Sequence, residues 1–248
     1  MNKPNSLLMK HLVFALAMLI SCTSSSTAYL EKGKALMREG KTKEALEFTN
    51  KAINSDDQNS EAFNMRGVIY FEMKEFDNAL LDYNRAIELE PTAYRPYFNR
   101  ALLYTSRNQL DKALTDYNKA LDIAPDTSDI LLNRGQVLSF MDSIPAATKD
   151  FDKAVKLQDN NVLAWYNLGN AHYRQQNYER AISSFKRATQ LDPRFGKAYY
   201  GLGMAQYMKG EKEVGCLSLK EAQRLGWQDA TQALALHCGE SSSAHPSN

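Results

Sequence analysis

The sequence has little of what catalysis or metal binding requires. Four histidines and three cysteines are scattered over 248 residues. It contains no Gly-x-Ser-x-Gly elbow, His-Glu-x-x-His pair, phosphate loop or Gly-x-Gly-x-x-Gly fingerprint. His237 adjoins Cys238, but two residues do not make a metal site. An excess of one charge is also missing, with 30 Lys and Arg against 29 Asp and Glu. That balance gives no electrostatic reason to expect nucleic acid as a partner. The chain is therefore expected to be no enzyme, and to need no cofactor or metal.

A long hydrophobic run is missing too. The longest, residues 12–20, follows Lys3 and Lys10 and is too short for a helix across a bilayer, which needs about 20 apolar residues. A charged start, a short apolar middle and small residues after it mark a secretory signal. Its end, Leu19-Ile20-Ser21-Cys22, resembles the bacterial lipoprotein box. That resemblance implies a signal peptide over 1–21, lipidation of Cys22 and a tether over 22–27. It places the protein in the bacterial cell envelope, lipid-anchored and facing the periplasm. Acyl burial contributes about 0.8 kcal/mol per methylene, so several chains anchor stably.

Cys216 and Cys238 are spaced neither as a zinc knuckle nor as a Cys-x-x-Cys redox pair. An exported compartment permits a disulfide between them. Buried free cysteine is common in helices, and free thiols are the expectation here.

The strongest positive signal is a period of thirty-four. Units begin at Ser26, Ser60, Tyr94, Ser128, Val162 and Gly196 without insertion or deletion. The eighth, twentieth and twenty-seventh positions are Gly or Ala in every unit, as in Gly67, Ala79 and Ala86 of the second. Small side chains at fixed intervals let helix axes approach closely. Tyr83, Tyr117, Phe151 and Phe185 at the twenty-fourth position are the knobs for those holes, and Pro91, Pro125 and Pro193 end the second helix of their units.

Trp165, Leu168, Gly169, Ala181, Phe185, Ala188 and Pro193 of the fifth unit resemble the tetratricopeptide repeat. His172 stands where that repeat has a packed Tyr, which suggests a core role. The resemblance implies an all-α solenoid of six helix-turn-helix units over 28–238, winding as a right-handed superhelix. Units one and six are off pattern at Thr49 and at Gly215, Leu219 and Trp227, as terminal repeats are. Residues 227–238 read as a capping helix, which solenoids need for solubility. Residues 239–248 have nothing apolar to bury and read as a disordered tail.

The units also serve as an internal alignment. Arg66, Arg100 and Arg134 at the seventh position occur in the same units as Asp82, Asp116 and Asp150 at the twenty-third. Where the Arg becomes Leu168 or Leu202, the Asp becomes Ser184 or Ser218. A charge lost together with its opposite suggests contact, and an Arg fork can hold a carboxylate with two hydrogen bonds.

Positions two, five, six, nine and twelve of each first helix share one face, which in the family lines the inner groove. They place Asn99, Asn133 and Asn167 as a ladder of amides able to pair with an extended peptide backbone. The alternative use of these amides is a bond to a neighbouring helix. Beside them come Phe98, Leu102, Leu132, Leu163, Tyr166, Asn170, Tyr173, Tyr200, Met204 and Tyr207. Aromatic side chains in a groove favour a protein partner. The Lys and Asn pair of a dicarboxylate clamp is missing, since Leu30 and Lys34, Asn64 and Val68, and Phe98 and Leu102 fill its places. The expected function is a scaffold that holds a protein or extended peptide. The runner-up is a structural subunit of an envelope or pilus-type assembly acting through its convex face.

Overall fold

The computed structural model describes residues 25–239. The expected signal peptide, Cys22, half of the expected tether and most of the expected tail lie outside them, whereas Ser25, Ser26 and Thr27 of that tether belong to the first helix, with Ser26 buried. All regular structure among the described residues is helical. The chain divides into two compact units, Met1–Pro125 and Asp126–Asn248.

The first unit holds α1 (25–38), α2 (Thr42–Ser55), α3 (Ser60–Glu72), α4 (Phe76–Leu89), α5 (Tyr94–Ser106) and α6 (Leu110–Ile123). The second holds α7 (Ser128–Phe140), α8 (Ile144–Leu157), α9 (Val162–Arg174), α10 (Tyr178–Leu191), α11 (Gly196–Lys209), α12 (Lys212–Arg224) and α13 (Asp229–His237). The odd-numbered helices from α3 to α11 start at the repeat starts read from the sequence. Within the second unit α7, α9 and α11 touch one another in turn, whereas α8 and α10 do not. The odd helices thus form the tighter layer, and the even helices splay apart.

The small positions work as holes. A Cβ added at Gly67 would stand 2.6 Å from the Tyr83 ring, at Gly135 2.6 Å from Phe151, and at Gly169 2.7 Å from Phe185. These rings are fully buried, which stabilises the fold by about 2–3 kcal/mol each. The off-pattern residues fill the same holes: Thr49 is buried against Gly33 and Leu219 against Gly203. Thr49 Oγ1 donates to the Ala45 carbonyl at 2.7 Å, which satisfies its hydroxyl.

Each helical hairpin turns through one residue with positive φ, at Gly40, Lys74, Asn108, Asp142, Gln176 and Gly210. All six stand at the fifteenth position of their units. The next amide reaches back into the last helical turn, as Glu75 N to Tyr70 O at 2.8 Å. This closes a Schellman-type cap that satisfies carbonyls the helix leaves orphaned. At the other ends, Asn59 and Asn161 accept from the amides of Ala62 and Ala164, both at 3.0 Å, and hold the first turns of α3 and α9.

The Arg and Asp of the middle repeats meet as two-pronged pairs. Arg66 donates from Nε and Nη2 to Asp82 at 2.7 and 2.8 Å. Arg100 does so to Asp116 at 2.7 and 2.8 Å, and Arg134 to Asp150 at 2.8 and 2.7 Å. Arg66 Nη1 also reaches Asn50 Oδ1 at 2.9 Å, and Arg100 Nη1 reaches Asn84 Oδ1 at 2.6 Å. The Arg66 and Arg100 guanidinium groups therefore each tie their own hairpin together and link it to the preceding one. Asn50 and Asn84 both occupy the twenty-fifth position of their units, a regularity through which they could have been found.

The expectation of free thiols is overturned. Cys216 of α12 and Cys238, directly after α13, form a disulfide with their Cα atoms 5.8 Å apart. The helix α13 covers the last hairpin through Ala230 and Ala233, while Leu236 stays 70% exposed.

Candidate functional site

The two units hold separate parts of the expected groove. In the first, Phe98, Asn99 and Leu102 are half-buried on α5. Asn99 is not a free rung, because its Nδ2 donates to Asn64 Oδ1 of the preceding repeat at 2.9 Å. In the second unit Asn133 Nδ2 turns back to the Asp129 carbonyl of its own helix at 2.7 Å. Two of the three amides therefore spend a donor inside the protein, Asn99 on a neighbouring helix, which was the alternative use considered above, and Asn133 on its own helix; their Oδ1 atoms keep acceptor capacity. Leu132 is buried at 8% exposure and is not a lining residue. It holds the same fifth position as Phe98, Tyr166 and Tyr200, but its shorter apolar side chain is taken up by packing.

In the second unit the structure does gather a site. Tyr166, Asn170 and Tyr173 from α9, and Tyr200 and Met204 from α11, line one cleft of about 250 Å³. Asn167 lies beside it, lining a smaller cavity of about 150 Å³ that shares Asn170. Tyr207 lies apart from both, packed against His237 with ring centroids 4.6 Å apart and the rings tilted by 42°. Leu163 is exposed at 53% and lines neither.

Four lining residues were missed from the sequence: Lys197, Gly201, Trp227 and Asp229, with Phe185 as the floor. Lys197 and Gly201 occupy the second and sixth positions of their unit, so the face rule could have found them. Gly201 stands where a ladder would need Asn. A Cβ there would come 2.7 Å from the Phe185 ring, so the missing side chain lets α11 close over that buried ring. Trp227 and Asp229 come from the segment beyond the last repeat, which no repeat rule addresses.

Aromatic contacts set the walls. Tyr166 packs on Phe185 and Phe195 at 5.9 and 5.1 Å, and Tyr200 on Trp227 at 6.4 Å. The Lys197 ammonium sits 5.2 Å from the Tyr166 ring and 5.7 Å from that of Trp227, within cation–π reach. Trp227 Nε1 is buried without a hydrogen-bond partner among the described residues. Burial raises the Tyr173 phenol above its ordinary value, with Tyr178 and Tyr200 adding to it. Burial and then Asp229 raise that of Tyr200. Both hydroxyls stay protonated at neutral pH and can donate. The cleft thus offers an apolar floor, polar tips, one ammonium and one carboxylate. That suits it to a side chain with its flanking peptide groups, not to bond making.

Among the described residues no cluster of His, Cys, Asp and Glu could hold a metal ion, and no helix is long and apolar enough to cross a membrane. Family models described as tetratricopeptide repeat match residues 26–59, 60–93, 82–115 and 162–195. Another, described as TPR repeat, matches 102–139 and 143–176. No curated protein matches the chain in sequence. Among solved structures, YrrB, a TPR protein with an unusual peptide-binding site, is 24% identical with a TM-score of 0.68, over 77% of this chain and 96% of that one. PilF of Pseudomonas aeruginosa is 18% identical with a TM-score of 0.77, over 86% and 99%. A tetratricopeptide repeat protein from Parabacteroides merdae is 22% identical with a TM-score of 0.61, over 87% and 99%. At such identities the likeness is one of fold.

Proposed function

Because the chain belongs to the tetratricopeptide-repeat family, we propose that it is a non-catalytic scaffold that grips an extended segment of another protein. The observation that carries this reading is the cleft of Tyr166, Asn170, Tyr173, Tyr200, Met204 and Trp227. An anchor side chain of the partner enters between Tyr166 and Tyr200. Its neighbouring backbone groups pair with the Asn170 amide and the tyrosine hydroxyls. The cleft carries both Lys197 and Asp229, so it is matched to a segment of mixed charge and not to an acidic tail. The peptide-binding site described for YrrB supports the same use of a shared fold.

A photo-crosslinking residue at Tyr166, used in cells, tests this directly. It is expected to trap a discrete protein, and Tyr200→Ala is expected to weaken that capture at least about tenfold, as loss of a central aromatic anchor does. Capture that is unchanged in Tyr200→Ala, and by Asn133→Ala and Tyr166→Ala in a pull-down, would move the partner to the opposite face. We further infer from the box ending in Cys22 that lipid chains on that residue hold the scaffold to an envelope membrane. Cys22→Ala is expected to release the protein from the membrane fraction, and retention would rule out this anchor.

A further inference from the structure

A second cleft lies on the other side of α9. Successive residues of a helix turn by about 100°, which puts His172 roughly 100–160° around the helix from Tyr166, Asn170 and Tyr173. His172 is lodged where α8 and α10 splay apart, and lines a cleft of about 470 Å³ with Thr148, Lys149, Asp152 and Lys156 of α8 and Arg180 of α10. The imidazole is only 8% exposed, yet its Nδ1 has no hydrogen-bond partner among the described residues.

The charges around it are unbalanced. Three cations face one carboxylate, and Asp152 is already engaged by Lys156 in an ion pair. Thr148 is also occupied, donating to the Ile144 carbonyl at 2.8 Å and accepting from Gln175 Nε2 at 2.5 Å. Lys149, Arg180 and the imidazole remain, with no ion pair formed by the first two among the described residues. Two uncompensated positive charges and a buried nitrogen without a partner in one concave site leave a place for an anion. A guanidinium fork with an ammonium beside it suits a tetrahedral oxyanion, and a doubly charged one balances both cations where a carboxylate balances one.

We propose that this cleft binds a phosphate-type oxyanion, held by Lys149 and Arg180 with the His172 imidazole at its floor. Burial lowers the proton affinity of His172, and the Arg180 charge lowers it further while Asp152 opposes. An anion seated between Arg180 and the imidazole reverses the second effect, so the imidazole itself reports occupancy. The site is separate from the peptide cleft, with which it shares no lining residue.

The test follows the His172 imidazole by nitrogen-15 NMR in the full chain. Inorganic phosphate, a short-chain soluble phosphatidic acid and chloride are titrated in turn at matched ionic strength. The expected result is a saturable shift of His172 with a midpoint of about 1–10 mM for phosphate and no comparable response to chloride. The exposed substitutions Lys149→Gln and Arg180→Gln are expected to weaken it at least about tenfold each. Tyr166→Ala, which cripples the other cleft, is expected to leave it intact. Tighter response to phosphatidic acid assigns a lipid headgroup, and equal or tighter response to phosphate assigns the free ion. A His172 signal that does not move, that moves equally with chloride, or that titrates unchanged in Lys149→Gln and Arg180→Gln overturns the proposal.

Discussion

Replacing Asp116 by Ser should cost far more than replacing Arg100 and Asp116 together. In the native protein the Asp116 side chain is 6% exposed and that of Arg100 19%. Both prongs of the guanidinium are engaged, and Nη1 holds Asn84. Removing one member of a buried pair costs about 3–5 kcal/mol because the other charge stays desolvated. The guanidinium keeps some access to water, which reduces the figure to about 2–3 kcal/mol for Asp116→Ser. Arg100→Leu strands a more deeply buried carboxylate and should cost at least as much. The double variant creates what the fifth repeat already has. There Leu168 and Ser184 are each 3% exposed, and Ser184 Oγ donates to the Arg180 carbonyl at 2.9 Å. It should therefore cost less than about 1 kcal/mol, so the coupling in a double-mutant cycle is at least about 3 kcal/mol. Urea unfolding followed by far-UV circular dichroism measures all four proteins, with midpoints compared at a common slope. A double variant as unstable as the sum of the single ones would refute the argument, since the pair would then contribute as two separate surface charges.

Other perturbations test other layers of the structure. Lys74 holds a φ of 62°, so Lys74→Gly is expected to raise stability by about 0.5–1 kcal/mol; a lower midpoint in urea would contradict the strain. The Cys216–Cys238 bridge encloses a separation of 22 residues, and loop-closure entropy gives it about 3 kcal/mol. Cys238→Ser is expected to speed amide exchange in α13 while α9 and α10 keep their protection; uniform loss of protection would show that the bridge supports more than the cap. The His172 proton affinity lies below the ordinary value of 6.5 because the ring is buried. The unfolded chain therefore binds that proton first, and the stability of keeping the ring neutral is complete above pH 6.5 and lost as the pH falls below it. His172→Tyr, which restores the usual repeat residue, is expected to flatten that acid-side loss in urea unfolding; an unchanged slope would assign it to other groups.

The sequence by itself was enough for the helical pairs, because their requirements are local and repeated. Gly67, Gly135 and Gly169 leave holes, Tyr83, Phe151 and Phe185 fill them, and a register error in one unit would show against the others. The Arg66, Arg100 and Arg134 pairs were legible for the same reason, since each charge appears and disappears with its opposite. Tertiary structure decided whatever depends on where a side chain ends up once neighbouring hairpins have stacked. The Asn99 amide has a partner only because Asn64 of the preceding repeat lies 2.9 Å away. Trp227 walls a cleft only because the segment after the last hairpin folds back beside α11. Cys216 and Cys238 bond because the crossing of α12 and α13 brings their backbones together. None of these follows from period or composition: the same residues at the same spacing would pair differently if the last helix crossed at another angle.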